Sequence, residues 1–122
     1  MRVVRVVNQS RQRTLAERAD VAATWWQRGR GLLGRSGLEP GAGLLIVPCN
    51  SIHSFFMRFA FDAVFIDKQL RILHVIPAMP PYRLSRIVRR AWAVLELPAG
   101  VVQATATQVG DQLAIATLES EG

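Results

Sequence analysis

F-D-A-V-F-I-D-K-Q-L-R-I-L-H-V-I, residues Phe61–Ile76, is the stretch on which the fold turns. Phe61, Ala63 and Phe65 alternate with Asp62, Val64 and Ile66, the period of two that places successive side chains on opposite faces of a strand. Lys68-Gln69 interrupts the apolar run and Leu70–Ile76 resumes it, which predicts a β-hairpin.

Working outward, Arg2–Val7 reads as a first strand, Asn8–Arg13 as a polar turn and Leu15–Ala22 as a second strand. Thr24-Trp25-Trp26-Gln27 has the form of a capping box, in which the cap hydroxyl and the glutamine each satisfy one free backbone N–H. Trp25, Trp26, Leu32 and Leu33 follow at helical spacing, with Gly34 or Gly37 to end the helix. Gly29 and Gly31 weaken it by roughly 1 kcal/mol each, so a short helix held by packing is expected. Leu38–Gly43 is a turn and Leu44–Val47 a buried strand. Beyond the hairpin, Pro77, Pro80 and Pro81 argue against regular structure over 77–81, and the arginine-rich segment Tyr82–Arg90 continues that excursion. Ala91–Leu97 is a strand carrying Trp92, Val94 and Glu96 on one face. Pro98–Gly100 turns into a brief helical Val101–Thr107, and the turn at Gly110-Asp111 leads to a last strand, Gln112–Leu118. These elements predict a mainly β (β-rich α+β) fold: a compact antiparallel barrel or jelly-roll-like sandwich of about seven or eight short strands, with one packed helix near residues 24–34.

The chain has 122 residues, half of them hydrophobic, which is enough for one domain spanning 1–122 with its own core. No apolar run approaches the roughly 18–20 residues of a membrane span, and the start, M-R-V-V-R-V-V, lacks a signal-peptide core; a cytoplasmic location is expected. The single cysteine excludes an internal disulfide framework. Lysine and arginine total 15 against nine acids, a net charge of +6, and Lys68 is the sole lysine. That arginine bias is read as a solvated basic surface. Arg83, Arg86 and Arg90 fall along one helical face, but without an aromatic ladder or a recognition motif beside them nucleic-acid binding is the least favoured function. Exposed edge strands leave a homodimer open.

The chemistry-bearing residues concentrate in Cys49–Asp67. Cys49 and His53 are four apart, the spacing of a thiol–imidazole pair or of two metal ligands. A metal site needs further ligands that the chain does not supply nearby, so no metal or cofactor is expected, and Cys49 reads as a buried thiol. Asp62 and Glu96 each share a strand face with apolar residues. They are a candidate acid/base pair with His53, or two structural carboxylates tied to backbone amides or arginines, for which Arg58 or His53 would be partners to Asp62. His74, between Ile72 and Ile76, reads as a satisfied core histidine. Phe55 and Phe56 are adjacent and cannot both point inward, so one of them is expected to line a cleft or cap a barrel mouth.

Six segments in this order resemble the bacterial and archaeal family called domain of unknown function 192 (DUF 192): G-L-L-G-R at Gly31–Arg35, G-L-L-I at Gly43–Ile46, I-H-S-F-F-M-R-F at Ile52–Phe59, F-D-A-V-F-I-D at Phe61–Asp67, V-L-E-L-P-A-G at Val94–Gly100 and V-G-D at Val109–Asp111. The resemblance implies a small β-rich barrel or jelly-roll-like domain with a helix in its N-terminal third, and names no reaction. His53, Met57, Asp62, Glu96, Gly100 and Asp111 match its polar pattern. Leu33 stands where the family often has Met, and Phe56 and Arg58 where Trp and Asn are frequent.

The reading preferred on these grounds is a non-catalytic accessory domain that binds a small ligand or a partner's peptide. Its candidate cleft comprises His53, Phe56, Met57, Arg58, Asp62 and Glu96. The alternative is an enzyme using His53 with Asp62 or Glu96 for proton transfer on a small polar or carbohydrate-like substrate.

Overall fold

Seven strands form in a computed structural model that describes residues 2–118: β1 (Val3–Asn8), β2 (Arg13–Ala22), β3 (Ala42–Ile46), β4 (Phe61–Ile66), β5 (Ile72–Met79), β6 (Ala93–Pro98) and β7 (Leu113–Thr117). Two short helices, α1 (Trp25–Arg30) and α2 (Val101–Ala104), complete the elements. The strands make one sheet, ordered β5-β4-β6-β3-β2-β1-β7, curled into a half-barrel. Every pairing is antiparallel except β2 with β3, which is parallel. The two outer strands meet only where they begin: the Ile72 amide donates to the Asp111 carbonyl (2.9 Å) and the Leu113 amide to the Leu70 carbonyl (2.9 Å).

The period-two reading of Phe61–Ile66 is borne out, and the sheet has an apolar cluster on each face. Val64 and Ile66 join Val4, Val6, Leu15, Leu45, Leu95 and Leu97 in one cluster, which fills the inside of the curl. Phe61, Ala63 and Phe65 join Leu44, Ile46, Ile52, Met57 and Val94 in the other, on the outer face. All six residues of β4 are therefore buried. Because the outer cluster has no second sheet over it, the connecting segments must cover it. Leu32 supplies part of the cover from the stretch after α1, Ile52 and Met57 from the β3–β4 connection, and Val88 from the β5–β6 connection.

Thr24 caps α1 as its sequence predicts: the Gln27 amide donates to Thr24 Oγ1 (3.1 Å) and the Thr24 amide to Gln27 Oε1 (3.2 Å). The helix nonetheless ends earlier than Gly34 or Gly37, at Gly31, whose φ of 49° is readily adopted only by glycine. None of its residues is buried; Trp25 and Trp26 are 80% and 70% exposed, and Leu32 and Leu33 beyond the helix make the packing contacts. β5 runs on through Pro77 to Met79, against the expectation that 77–81 excludes regular structure. It is an outer strand paired only with β4, so the missing proline N–H breaks no ladder. Trp92 precedes β6 and packs against the inner cluster, away from the Val94 and Glu96 face. Among the described residues no helix is long and apolar enough to cross a membrane.

Gly43 marks the tightest approach within the sheet. A Cβ there would lie 3.1 Å from the Glu96 carbonyl oxygen, 3.3 Å from Leu97 Cδ2 and 3.4 Å from Ala16 Cβ. The nearest neighbour is backbone in a central strand and cannot rotate away. Gly43→Val is expected to destabilise the protein by about 1–3 kcal/mol, read as a lowered urea midpoint at unchanged slope. An unshifted midpoint would mean that β3 and β6 separate easily.

Candidate functional site

Asp62 and Glu96 look alike in sequence, and the fold gives them opposite situations. Asp62 is fully buried on the inner side of β4. Its carboxylate accepts from the Ala78 amide (2.8 Å), the Gly100 amide (3.2 Å to each oxygen) and the Val102 amide (2.8 Å). It joins the end of β5 to the start of α2, which is the structural alternative considered above. Neither Arg58 nor His53 is its partner; backbone amides take that place. Asp111, 5% exposed, is similarly engaged, accepting from Asn8 Nδ2 (2.9 Å), Arg11 Nε (3.1 Å) and the Gln108 amide (3.0 Å). Burial pushes its carboxyl up, but those hydrogen bonds and the Arg11 charge outweigh that and hold it below the usual carboxylate range.

Glu96 stands between Leu44 of β3 and Ala63 of β4, on the outer face, and is 4% exposed. No group among the described residues donates a hydrogen bond to its side chain or pairs with it as a salt bridge. It lines a cavity of ≈ 300 Å³. Besides Glu96, the walls come from four places: Arg28 to Leu33 around the end of α1, Ile46 of β3, Pro48 to His53 after β3, and Met57. Burial pushes the Glu96 carboxyl up to about 8, against the opposing pull of the Arg35 guanidinium. A carboxyl taken from water without a donor or a cation in contact is more stable as the neutral acid.

Cys49, discounted from the sequence, lines the same cavity. Its thiol donates to the Ser51 carbonyl (3.1 Å). Burial raises its pKa, the Ser51 hydrogen bond lowers it, the Glu96 charge raises it and the Arg28 charge lowers it; the sum is a rise. A thiol held protonated is a poor nucleophile and a poor metal ligand. No group of three or more His, Cys, Asp or Glu among the described residues is placed to hold a metal ion. Arg28 also lines the cavity and donates through Nη1 to the Pro48 carbonyl (3.3 Å).

Of the six residues singled out from the sequence, the structure brings three to one place: His53, Met57 and Glu96 all line the cavity. His53 is exposed and stacks on Phe55 at 5.4 Å between ring centroids. Phe56 is 74% exposed, meets Tyr82 edge-on at 6.2 Å and does not line the cavity. Arg58 is exposed and Asp62 lies on the far side of the sheet. The expected cleft of His, Met, Arg and Asp is therefore not assembled as drawn. Cys49 and Arg28 stand in for Arg58 and Asp62 as the polar groups of the cavity.

The wall that carries His53 is braced by the arginine-rich segment. Tyr82–Arg90 forms no helix; it runs antiparallel to residues 50–54 with a bridge between His53 and Leu84. Ser54, fully buried, is the centre of that seam: its hydroxyl donates to the Pro80 carbonyl (2.6 Å) and accepts from the Arg83 amide (2.8 Å). Val88 N–H closes the far end on the Asn50 carbonyl (2.8 Å). His74 is half-buried against Phe65, at 5.5 Å, and takes no part in the cavity.

Residues 6–115 match the model of the family DUF192, whose description reads "Uncharacterized ACR, COG1430". The chain belongs to the DUF192 family. A UPF0127 protein of Pyrococcus horikoshii is 27% identical to this DUF192 chain over 114 residues, covering 88% of it and 96% of the archaeal protein. A second UPF0127 protein, from Thermococcus sibiricus, is 27% identical over 116 residues, covering 88% of this chain and 72% of its own length. Among solved structures, a protein of unknown function from Novosphingobium aromaticivorans superimposes with a TM-score of 0.78 at 19% identity, over 92% of this chain and 83% of the other. At that identity the likeness shows a shared fold.

Proposed function

We propose that this domain binds a small molecule in the cavity beside Glu96 and does so without chemical transformation. One observation carries the reading: a carboxyl 4% exposed, without a hydrogen-bond partner among the described residues, faces a cavity of ≈ 300 Å³. Buried polar groups are normally satisfied within the fold, as Asp62 and Asp111 are here. An exception that borders open space is the arrangement expected where a ligand supplies the missing partner. The cavity's volume is at the lower end of the roughly 300–1,000 Å³ typical of small-molecule sites, and its walls mix Leu32, Ile46, Ile52 and Met57 with a few polar groups.

Support for catalysis is weaker. Acid–base work by His53 with Asp62 would have to cross the sheet, and the Asp62 oxygens already hold three amides; Glu96 lines the same cavity as His53, but no hydrogen bond joins the two. The exposed imidazole of His53 is stacked on Phe55, and no carboxylate among the described residues hydrogen-bonds to it.

Cys49 is the single cysteine of the chain, so thiol labelling reports on this cavity alone. Occupancy is expected to slow Cys49 alkylation by iodoacetamide at least several-fold, measured by mass spectrometry across a library of small acids, bases and neutral compounds. A library that leaves the rate unchanged throughout would remove the binding reading.

A further inference from the structure

We propose that the occupant is a small organic carboxylate, its charged end between the Glu96 carboxyl and Arg28 and its apolar body along Leu32, Ile46, Ile52 and Met57. This rests on the binding reading above and adds the chemistry of the ligand. Three observations carry it.

The first is the charge around the cavity. Arg28 and Arg30 line it from α1, and Arg35, beyond the helix, lies close enough to act on the Glu96 charge. Glu96 is the one acid among the described lining residues. The remaining titratable groups facing Glu96 are Cys49 and His53, from the segment after β3. β3 and β4 present Leu44, Ile46, Phe61 and Ala63 on this side, and β6 has no other charged residue. An entering cation would pass two guanidinium groups, whereas an anion is drawn in by them.

The second is the state of Glu96 itself. Buried with no donor in contact, it is held as the neutral acid and presents an O–H to the cavity. A carboxylic acid donating to a carboxylate makes a short, charge-assisted hydrogen bond. A ligand carboxylate therefore gives a partner to the Glu96 carboxyl, and it lies beside Arg28, whose Nε is buried without a hydrogen-bond partner among the described residues. The third is the rest of the lining: Leu32, Leu33, Ile46, Ile52 and Met57 give the cavity apolar wall for a hydrocarbon or aromatic body, alongside the polar Asn50, Ser51 and His53.

The sign of the linked proton separates this from the opposite assignment. A carboxylate stabilises the protonated form of Glu96, so its binding takes up protons near pH 8; an amine stabilises the ionised form and releases them. The probes are benzoate, phenylacetate and hexanoate, matched by benzylamine, phenethylamine and hexylamine and by benzyl alcohol and hexanamide. Cys49 protection gives affinity, and calorimetry in two buffers of different ionisation heat gives proton exchange. Carboxylates are expected to bind with proton uptake and to lose about tenfold in affinity between pH 7 and pH 9 as Glu96 ionises. Glu96→Gln, whose amide still donates, should bind them with that pH dependence abolished, and Arg28→Gln should bind at least tenfold more weakly. Amines or neutral probes protecting Cys49 while carboxylates do not would overturn the carboxylate assignment and leave the binding reading standing. If none of the three sets protects it, both fall. Carboxylate affinity that rises with pH would also overturn the assignment.

Discussion

Glu96→Gln is expected to stabilise the protein by several kcal/mol at pH 8 and to change its stability little at pH 4. In the unfolded chain a glutamate titrates near 4.5, whereas in the fold burial pushes Glu96 up to about 8. Between those values the folded state carries a proton that the unfolded state has lost. Stability linked to Glu96 is therefore fully present below about pH 4.5 and declines as pH rises towards 8, the sign opposite to that of a paired carboxylate. At 1.36 kcal/mol per pH unit, the loss across that window approaches roughly 4 kcal/mol. Glutamine occupies the same space and does not ionise, so the decline linked to Glu96 should be absent from its curve. Urea titrations of both proteins from pH 4 to 9 make the comparison, and parallel curves would show that the Glu96 carboxylate finds a partner in solution.

The second large effect is a loss. Asp62→Ala removes the acceptor of three amides, those of Ala78, Gly100 and Val102, in a position fully closed to water. The buried Val102 amide left unpaired costs about 1–3 kcal/mol, and the amides of Ala78 and Gly100, which are exposed residues, are partly recovered by water, so the expected total is about 2–4 kcal/mol. Against the roughly 5–15 kcal/mol that holds a domain together, such a loss removes a large part of the margin and shows as a clearly lowered urea midpoint. Asp62→Asn separates charge and geometry from volume. It keeps the shape but directs an amide donor at amides, and should recover at most half of the loss. A midpoint for Asp62→Ala within about 1 kcal/mol of the parent would mean that water reaches the start of α2. The contrast between these two acids is a compact test of the whole arrangement, since one substitution is expected to strengthen the fold and the other to damage it.

Much of the architecture could be read before any coordinates. The alternation of Phe61–Ile66 divides between the two clusters as written, and the Thr24–Gln27 cap forms. Both depend on residues near one another in sequence. What escaped reading depends on distant ones. Asp62 takes donors from Ala78, Gly100 and Val102, and Glu96 is denied any by segments that begin at Arg28 and Pro48. Nothing within a few residues of either acid distinguishes them. The four-residue spacing of Cys49 and His53 was a true sign of shared location, because both line the cavity, although burial leaves the thiol protonated. Trp25 and Trp26 misled because helical spacing predicts a shared face without saying that the face is covered. Pro77 misled because only the sheet order reveals β5 to be an outer strand.

The lone parallel pairing of β2 with β3 has a topological consequence. Antiparallel neighbours can be joined by a turn of two residues, but a parallel neighbour obliges the chain to travel the full length of the sheet before it re-enters in the same direction. Residues 23–41 make that return journey, and the route taken leads past the outer side of Glu96. Had β3 been reversed, a hairpin could have replaced the journey, and the wall that Arg28 to Leu33 give the cavity would be missing. One side of the enclosure around Glu96 is thus a by-product of strand direction: a single change of sense in the sheet sends the chain over a face that a hairpin would have left bare.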